Sequence, residues 1–245
     1  MQKGLGRHPA EDERDEQYLL QPRERPEDVS SRPGRADPPG AVGSTGNGRK
    51  YRYWWPSGWW GDQGTTPQCV AFAWVHFLED GPVTHAPFER GEGPVAPCEE
   101  VYSEAQERDV WPGTDYAGTS VRGGAKALQA RGLIDRYEWA RSVETVVQAL
   151  LTEGPLVMGS NWYRSMYEPD DEGFVRPEGE VVGGHAYLLN GVNREEEKVR
   201  FKNSWGVEWG AGGYGWMRFE DLETLLTGRG EACFGRFDGS GEERR

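Results

Sequence analysis

Four side chains of the kind that acyl transfer by a thiol requires occur in the chain order Gln63, Cys69, His185 and Asn203. Cys69 stands where the polar loop Gly61-Asp62-Gln63-Gly64-Thr65-Thr66-Pro67-Gln68 runs into the apolar helical pattern Val70-Ala71-Phe72-Ala73-Trp74. A thiol in the first turn of a helix feels unpaired N–H groups and the positive end of the dipole, and both favour thiolate. Gln63, six residues upstream, can fold its amide back beside the sulfur as a donor to a developing oxyanion. His185 supplies a base and Asn203 a group to orient it. Each residue alone has a plainer reading: a small apolar Cys in a buried helix, a core histidine, an asparagine at a strand end. Their joint order is what points to chemistry.

Two glycine-bearing stretches strengthen the pattern, Gly183-Gly184-His185-Ala186-Tyr187-Leu188 and Phe201-Lys202-Asn203-Ser204-Trp205-Gly206. With these in place the sequence resembles the papain family of cysteine peptidases over most of residues 51–237, and the Lys-Asn-Ser-Trp-Gly block is the most specific part. The resemblance implies an α+β, papain-like two-lobed fold with a helical first lobe, a β-barrel-like second lobe and the active-site cleft between them. It implies a Cys69 thiolate facing a His185 imidazolium, both charged near neutral pH, and a thioester acyl-enzyme. Asn203 would orient the imidazole, Trp205 would shield that hydrogen bond, and the Gln63 amide with the Cys69 N–H would bind the oxyanion. Thr119 and Ser120 fall near the non-primed substrate subsites. Gly159 and Gly183 fall where relatives place the walls of the pocket for the P2 side chain, and Gly184 lies beside them. From these glycines we expect a roomy pocket that accepts a large apolar or aromatic P2 residue. Val70 replaces the Trp of well-known relatives, and Thr66-Pro67-Gln68 replaces their Cys-Gly-Ser approach to the thiol.

The enzyme expected from this is a cysteine-type peptidase acting on peptide or protein substrates as an endopeptidase, since no cleft-blocking insertion is evident. A catalytically silent peptide-binding relative, an exopeptidase, a ligase or a deconjugating thiol hydrolase would use the same scaffold.

Composition narrows the setting. The 245 residues suit one large domain or two small lobes. Formal net charge is −13, and the nine basic and nine acidic residues of 1–50 cancel, so all of it falls on residues 51–245. That argues against nucleic acid and anionic membranes as partners, and a monomer is expected. No apolar run reaches the roughly 18 residues of a membrane span, and no signal-peptide core is visible. Cys69, Cys98 and Cys233 cannot form a disulfide framework while one remains a nucleophile; at most Cys98 could pair with Cys233. A reducing, cytoplasmic location is the expectation. The cysteines and His8, His76 and His85 lack ligand spacing, so neither metal nor cofactor is expected.

Along the chain, residues 1–50 are rich in Pro, Gly, Arg and acidic side chains, with Leu19-Leu20 the only apolar pair. They read as a disordered N-terminal extension ahead of a peptidase domain over 51–245. An extension lying across the cleft is the alternative. The aromatic stretch near 51–56 reads as extended or as an aromatic cover of the core edge, and the resemblance implies that it is a strand joining the second lobe. Residues 69–79 form a helix that is apolar nearly all round, hence buried, with His76 too far along the axis to serve as the base. Residues 81–98, with Pro82, Pro87, Pro94 and Pro97, read as an irregular loop. Helices follow at 101–108, at 120–132 with Ser120 as cap and Gly132 as stop, and after Ser142. Strand signals dominate thereafter: 156–158, 185–189, 199–202, 214–219 and 232–237, with a short helix at 221–226. The helical lobe thus spans about 60–140 and the β-rich lobe about 141–245.

Overall fold

The computed structural model describes residues 3–10, 12–21, 50–54, 59–81 and 96–237. Pro56, His85 and the prolines at 82, 87 and 94 lie outside the described residues, as does 22–49 of the extension.

Helix α1 (Cys69–Asp80) is buried at every position, as its all-round apolar pattern requires, and Gly81 follows it. It is the wedge of the molecule. One side meets α2 (Cys98–Arg108) and α3 (Val121–Ala130), and the other meets strands of the second lobe. A Cβ at Gly124 would enter the Trp74 indole, so glycine lets α3 close on α1, and Trp74 Nε1 donates to the Val121 carbonyl at 2.9 Å. The expected cap is present: the Ser120 hydroxyl accepts from the Gly123 N–H, satisfying one of the first free donors of α3. Ser142 does the same for α4 (Val143–Thr152), accepting from Thr145 N–H.

The second lobe is an antiparallel seven-stranded sheet of β1 (Tyr51–Tyr53), β2 (Arg136–Ala140), β3 (Leu156–Tyr163), β4 (Val181–Asn193), β5 (Lys198–Lys202), β6 (Tyr214–Arg218) and β7 (Glu231–Arg236). The strand order is β2-β7-β3-β4-β5-β6, with β1 paired to β4. Helix α5 (Phe219–Thr227) joins β6 to β7. Residues 136–140, within the expected helical lobe of about 60–140, form β2, and its pairing with β7 places them in the sheet.

At the far end of α1 from Cys69, Lys202 and Asp80 are fully buried and paired at 3.2 Å. Lys202 Nζ also donates to the Trp59 carbonyl at 3.0 Å, and Asn190 Nδ2 donates to Asp80 at 3.1 Å. Two buried charges are tolerable here because each has hydrogen-bonding partners as well as the other. The pair ties the C-terminus of α1 to β5, one residue before Asn203.

Residues 3–10 and 12–21 of the extension are not disordered. A 3₁₀ turn, Glu13–Tyr18, is capped by Asp12, and the buried Leu20 donates its N–H to the Trp139 carbonyl at 2.8 Å. Arg122 on α3 pairs with the buried Asp15. The apolar pair that stood out in the sequence is therefore an anchor: Leu20 fills a gap beside β2 while Leu19 stays exposed.

Candidate active site

Cys69 is the first residue of α1, where N–H groups lack intrahelical acceptors. The loop before it is stapled to the Asn203 block: Gln63 N–H donates to the Ser204 carbonyl at 2.9 Å, and Ser204 Oγ donates to Gln63 Oε1 at 2.5 Å. His185 projects from β4, opposite Ser160 of β3, and Asn203 follows the end of β5. Their side chains meet, His185 Nε2 to Asn203 Oδ1 at 2.8 Å. The same Oδ1 accepts the Ser204 backbone N–H at 2.8 Å. An N–H donor identifies that atom as oxygen, so the proton between the two side chains belongs to His185 Nε2. Nδ1 is left as the lone-pair nitrogen, and it has no hydrogen-bond partner. Trp205 stacks on the imidazole with centroids 4.6 Å apart and on Tyr167 at 5.4 Å, while Trp162 meets the imidazole edge-on at 4.8 Å. This aromatic box excludes water from the Asn203–His185 bond.

The backbone groups of Ala186, the neighbour of His185, and of Val70 and Gly6 favour the ionised form of the Cys69 thiol. Burial pushes the thiol up to about 12 despite those backbone groups, and burial lowers His185 to about 4 despite Asn203. Both are fully buried. In this covered cleft desolvation thus favours the uncharged form of each group. His76 is buried within α1 and accepts from the Gly61 N–H at 3.4 Å; it takes no part in the site.

The cover is the chain's own N-terminus. Gly4 N–H donates to the Gly64 carbonyl at 2.9 Å, and the Gly4 carbonyl accepts from Gln63 Nε2 and Trp205 Nε1, both at 3.3 Å. The donor expected for an oxyanion is thus occupied by a peptide carbonyl. Gly6 and Arg7 N–H groups both donate to Gly184 O, at 3.1 and 3.0 Å. A Cβ on Gly4 or Gly6 would run into the Thr66 or Pro67 carbonyl, so only glycine allows the segment to lie this close to the cysteine loop.

The expected substrate-side residues divide. Thr119 offers its backbone: its N–H donates to Gly6 O at 2.8 Å and its carbonyl accepts from His8 N–H at 3.0 Å, a parallel bridge around Arg7. Ser120 is buried, and its hydroxyl serves α3 and Asp109 rather than the cleft. Gly184 carries the backbone contacts above, and a Cβ at Gly183 would press on Leu5. Gly159 faces a different space: a Cβ there would come within 2.9 Å of Arg7 Nε and 2.7 Å of Val121. Gly159 and Gly183 therefore do not wall one apolar pocket. The space beyond Gly159 ends in Glu231, which lies opposite Gly159 in the β3–β7 register and holds the Arg7 guanidinium. Sequence reasoning missed Glu231, Arg7 and Asp109. A carboxylate starting a strand carries no local mark of the pocket it closes. Among the described residues no cluster of three His, Cys, Asp or Glu side chains could hold a metal ion.

A family model described as papain family cysteine protease matches residues 100–225, just over half of the chain, which include His185 and Asn203. Cathepsin B-like cysteine proteinase 6 of Caenorhabditis elegans is 26% identical over 161 residues, 58% of this chain and 41% of that protein. Cathepsin B-like CP3 of Giardia intestinalis is 30% identical over 80 residues, 31% of this chain and 27% of that protein. The chain thus spans less than half the length of these relatives. Xylellain, a cysteine protease from Xylella fastidiosa, superposes with a TM-score of 0.68 at 18% identity, covering 95% of this chain and 94% of its own. Bromelain from Ananas comosus, in complex with the E64 inhibitor, superposes with a TM-score of 0.54 at 16% identity, covering 77% of this chain and 99% of its own. At those identities the likeness is one of fold, the α+β papain-like fold. With the family match extending over half its length, the chain belongs to the papain family of cysteine proteases.

Proposed function

We propose that the chain is a cysteine peptidase that cuts within peptide and protein chains, with Cys69 as nucleophile, His185 as acid and base, Asn203 as its orienter and Gln63 as an oxyanion donor. The observation that carries this is the proton arrangement at His185. Nε2–H is committed to Asn203, and Nδ1 is unpartnered on a ring whose next residue, Ala186, has a backbone that favours the Cys69 thiolate. When residues 3–8 leave the cleft, water and substrate dipoles enter, the desolvation penalty on both groups falls, and the proton can move from Sγ to Nδ1. The thiolate then adds to the scissile carbonyl carbon, and the oxyanion takes the Gln63 Nε2 donor now engaged by Gly4 O, together with the Cys69 N–H. Nδ1–H protonates the leaving amine as the C–N bond breaks, leaving a thioester on Cys69. A water deprotonated by Nδ1 hydrolyses the thioester and restores the thiol.

A monomer without nucleic-acid or membrane partners, in a cytoplasmic, reducing setting, completes this reading. Its support is the acidic charge and three unpaired cysteines. Among the described residues no helix is long and apolar enough to cross a membrane.

The test is incubation of the full chain with a denatured protein mixture under reducing conditions, with new termini identified by mass spectrometry. Internal cuts absent with Cys69→Ala support the reading; products trimmed only from chain ends remove the endopeptidase part, and no Cys69-dependent cut removes the enzyme. A Gly6→Val chain, whose side chain cannot fit against Pro67 O, should cut faster than the unmodified one.

A further inference from the structure

The loop that joins α2 to α3 ends at the cleft, and α2 holds it by one stripe of side chains. Tyr102, Gln106 and the C-cap Asp109 recur at spacings of four and three, which places them on one side of the helix. The Tyr102 hydroxyl accepts the Gly118 N–H at 2.8 Å. Gln106 Nε2 donates to the Tyr116 carbonyl at 2.6 Å and to the Gly118 carbonyl at 3.1 Å. The Asp109 carboxylate accepts from Thr119 Oγ1 at 2.5 Å, from the Tyr116 hydroxyl at 3.1 Å and from the Ser120 N–H at 3.2 Å, and it is paired with the Ser120 hydroxyl as well. A Cβ at Gly123 would lie 2.6 Å from Asp109 Oδ1, so glycine there admits the carboxylate to the start of α3. The Gly118 N–H and carbonyl and the Ser120 N–H are thus all taken by the α2 side. The N–H and carbonyl of Thr119, between them, go instead to Gly6 O and the His8 N–H. Gly118, with φ at 97°, clears that path: a Cβ there would lie 2.3 Å from Gly6 O.

We propose that Asp109 is the positioning residue of the peptide-binding edge of the cleft. It grips Thr119 by the hydroxyl and Ser120 by the N–H, and so fixes the direction in which the Thr119 backbone is offered to an extended chain. That the chain so bound is a substrate rests on the peptidase reading; the positioning rests on the hydrogen bonds alone. An edge of this kind binds main chain, and its strength depends on aim, because a hydrogen bond weakens steeply as its angle closes. A loop that is already held loses less freedom when a peptide docks, so the grip favours binding without adding a contact. Removing the carboxylate leaves Thr119 Oγ1 and the Ser120 N–H without their acceptor and frees the edge to turn. The bonds of Asp109 go to the loop, so its effect falls on peptide binding rather than on the chemical step.

The experiment uses the full chain and has two arms. Thr119→Val removes the hydroxyl that Asp109 holds at nearly constant shape, and Thr119→Ser keeps it. Amide hydrogen exchange read by NMR should rise about 10-fold at residue 119 and at His8 with Thr119→Val and return to within about twofold with Thr119→Ser, while α2 and α3 stay as protected as before. In turnover by the chain opened with Gly6→Val, adding Asp109→Asn should raise KM for a blocked tetrapeptide anilide about 10-fold and change kcat by less than about twofold. Exchange at residue 119 and His8 that ignores Thr119→Val, or that rises equally through α2 and α3, overturns the proposal. So does an Asp109→Asn chain whose KM is unchanged. Exchange that responds as stated in a chain that turns over no peptide would keep the positioning role and instead discard the peptidase reading.

Discussion

Helix α1 carries a buried polar cluster at each end, and the two are built on opposite principles. At the C-terminal end, Asp80, Lys202 and Asn190 are charged or polar, fully buried and mutually hydrogen-bonded. At the N-terminal end, Cys69 and His185 are equally buried, yet burial drives both towards neutrality, and His185 Nδ1 and Asn203 Nδ2 have no partner. Lys202 and Asn203 are sequence neighbours, one in each cluster. The first cluster holds the lobes together; the second is held by them, with unmet hydrogen-bonding capacity beside a cleft that residues 3–8 now fill. A satisfied buried cluster favours architecture, and an unsatisfied one reactivity.

The contrast breaks if substitutions at the two ends act alike. Cys69→Ala should remove at least about 10⁴-fold of kcat while leaving the thermal midpoint unchanged or higher, since a neutral buried thiol gives way to a methyl. Asp80→Ala should instead destabilise the fold by about 3–5 kcal/mol, because it strands the Lys202 ammonium in the core; chemical denaturation measures this. Gln63→Ala should lower kcat by about 10²–10³-fold with a smaller change in KM. It also deletes a donor to Gly4 O, so residues 3–8 should exchange amide protons faster.

Acid sharpens the comparison further. His185 has a folded pKa of about 4 against an ordinary 6.5, so the unfolded or uncovered state binds more protons between those values. The stability of the covered form is complete above about 6.5 and declines as pH falls through 4, by on the order of 3 kcal/mol in total. Hydrogen exchange at residues 3–8 should therefore rise as pH falls from 6.5 to 4, after correction for intrinsic rates; a flat profile would mean that the imidazole is not buried neutral. Smallest is Ser142→Ala, which removes the α4 cap far from both clusters, costing about 1 kcal/mol with kcat unchanged.

What the sequence made legible follows from where the information sits. Gln63, Cys69, His185 and Asn203 stand in short motifs whose glycines and tryptophans mark them, and α1, α3, α4 and the later strands show clear periodicity. Strand β2 escaped because Arg136-Tyr137-Glu138-Trp139-Ala140 is only five residues long, although its aromatics alternate with charged residues, and its place comes from pairing with β7. The extension looked disordered since its composition lacks an apolar face. Its attachment uses backbone hydrogen bonds of glycines, one leucine and the Arg7–Glu231 pair, whose members are 224 residues apart. The effect of burial on Cys69 and His185 was equally out of reach, because it depends on what covers them.

The central claim is that the Cys69 sulfur, activated by His185, becomes acylated. The direct measurement is to quench the full-length Gly6→Val chain early in turnover of a slow peptide ester and to map the added acyl mass by peptide mass spectrometry. The account predicts one acyl group, on the peptide containing Cys69, absent with His185→Ala. Acylation on Cys98 or Cys233, or turnover with Cys69 never modified, would contradict it.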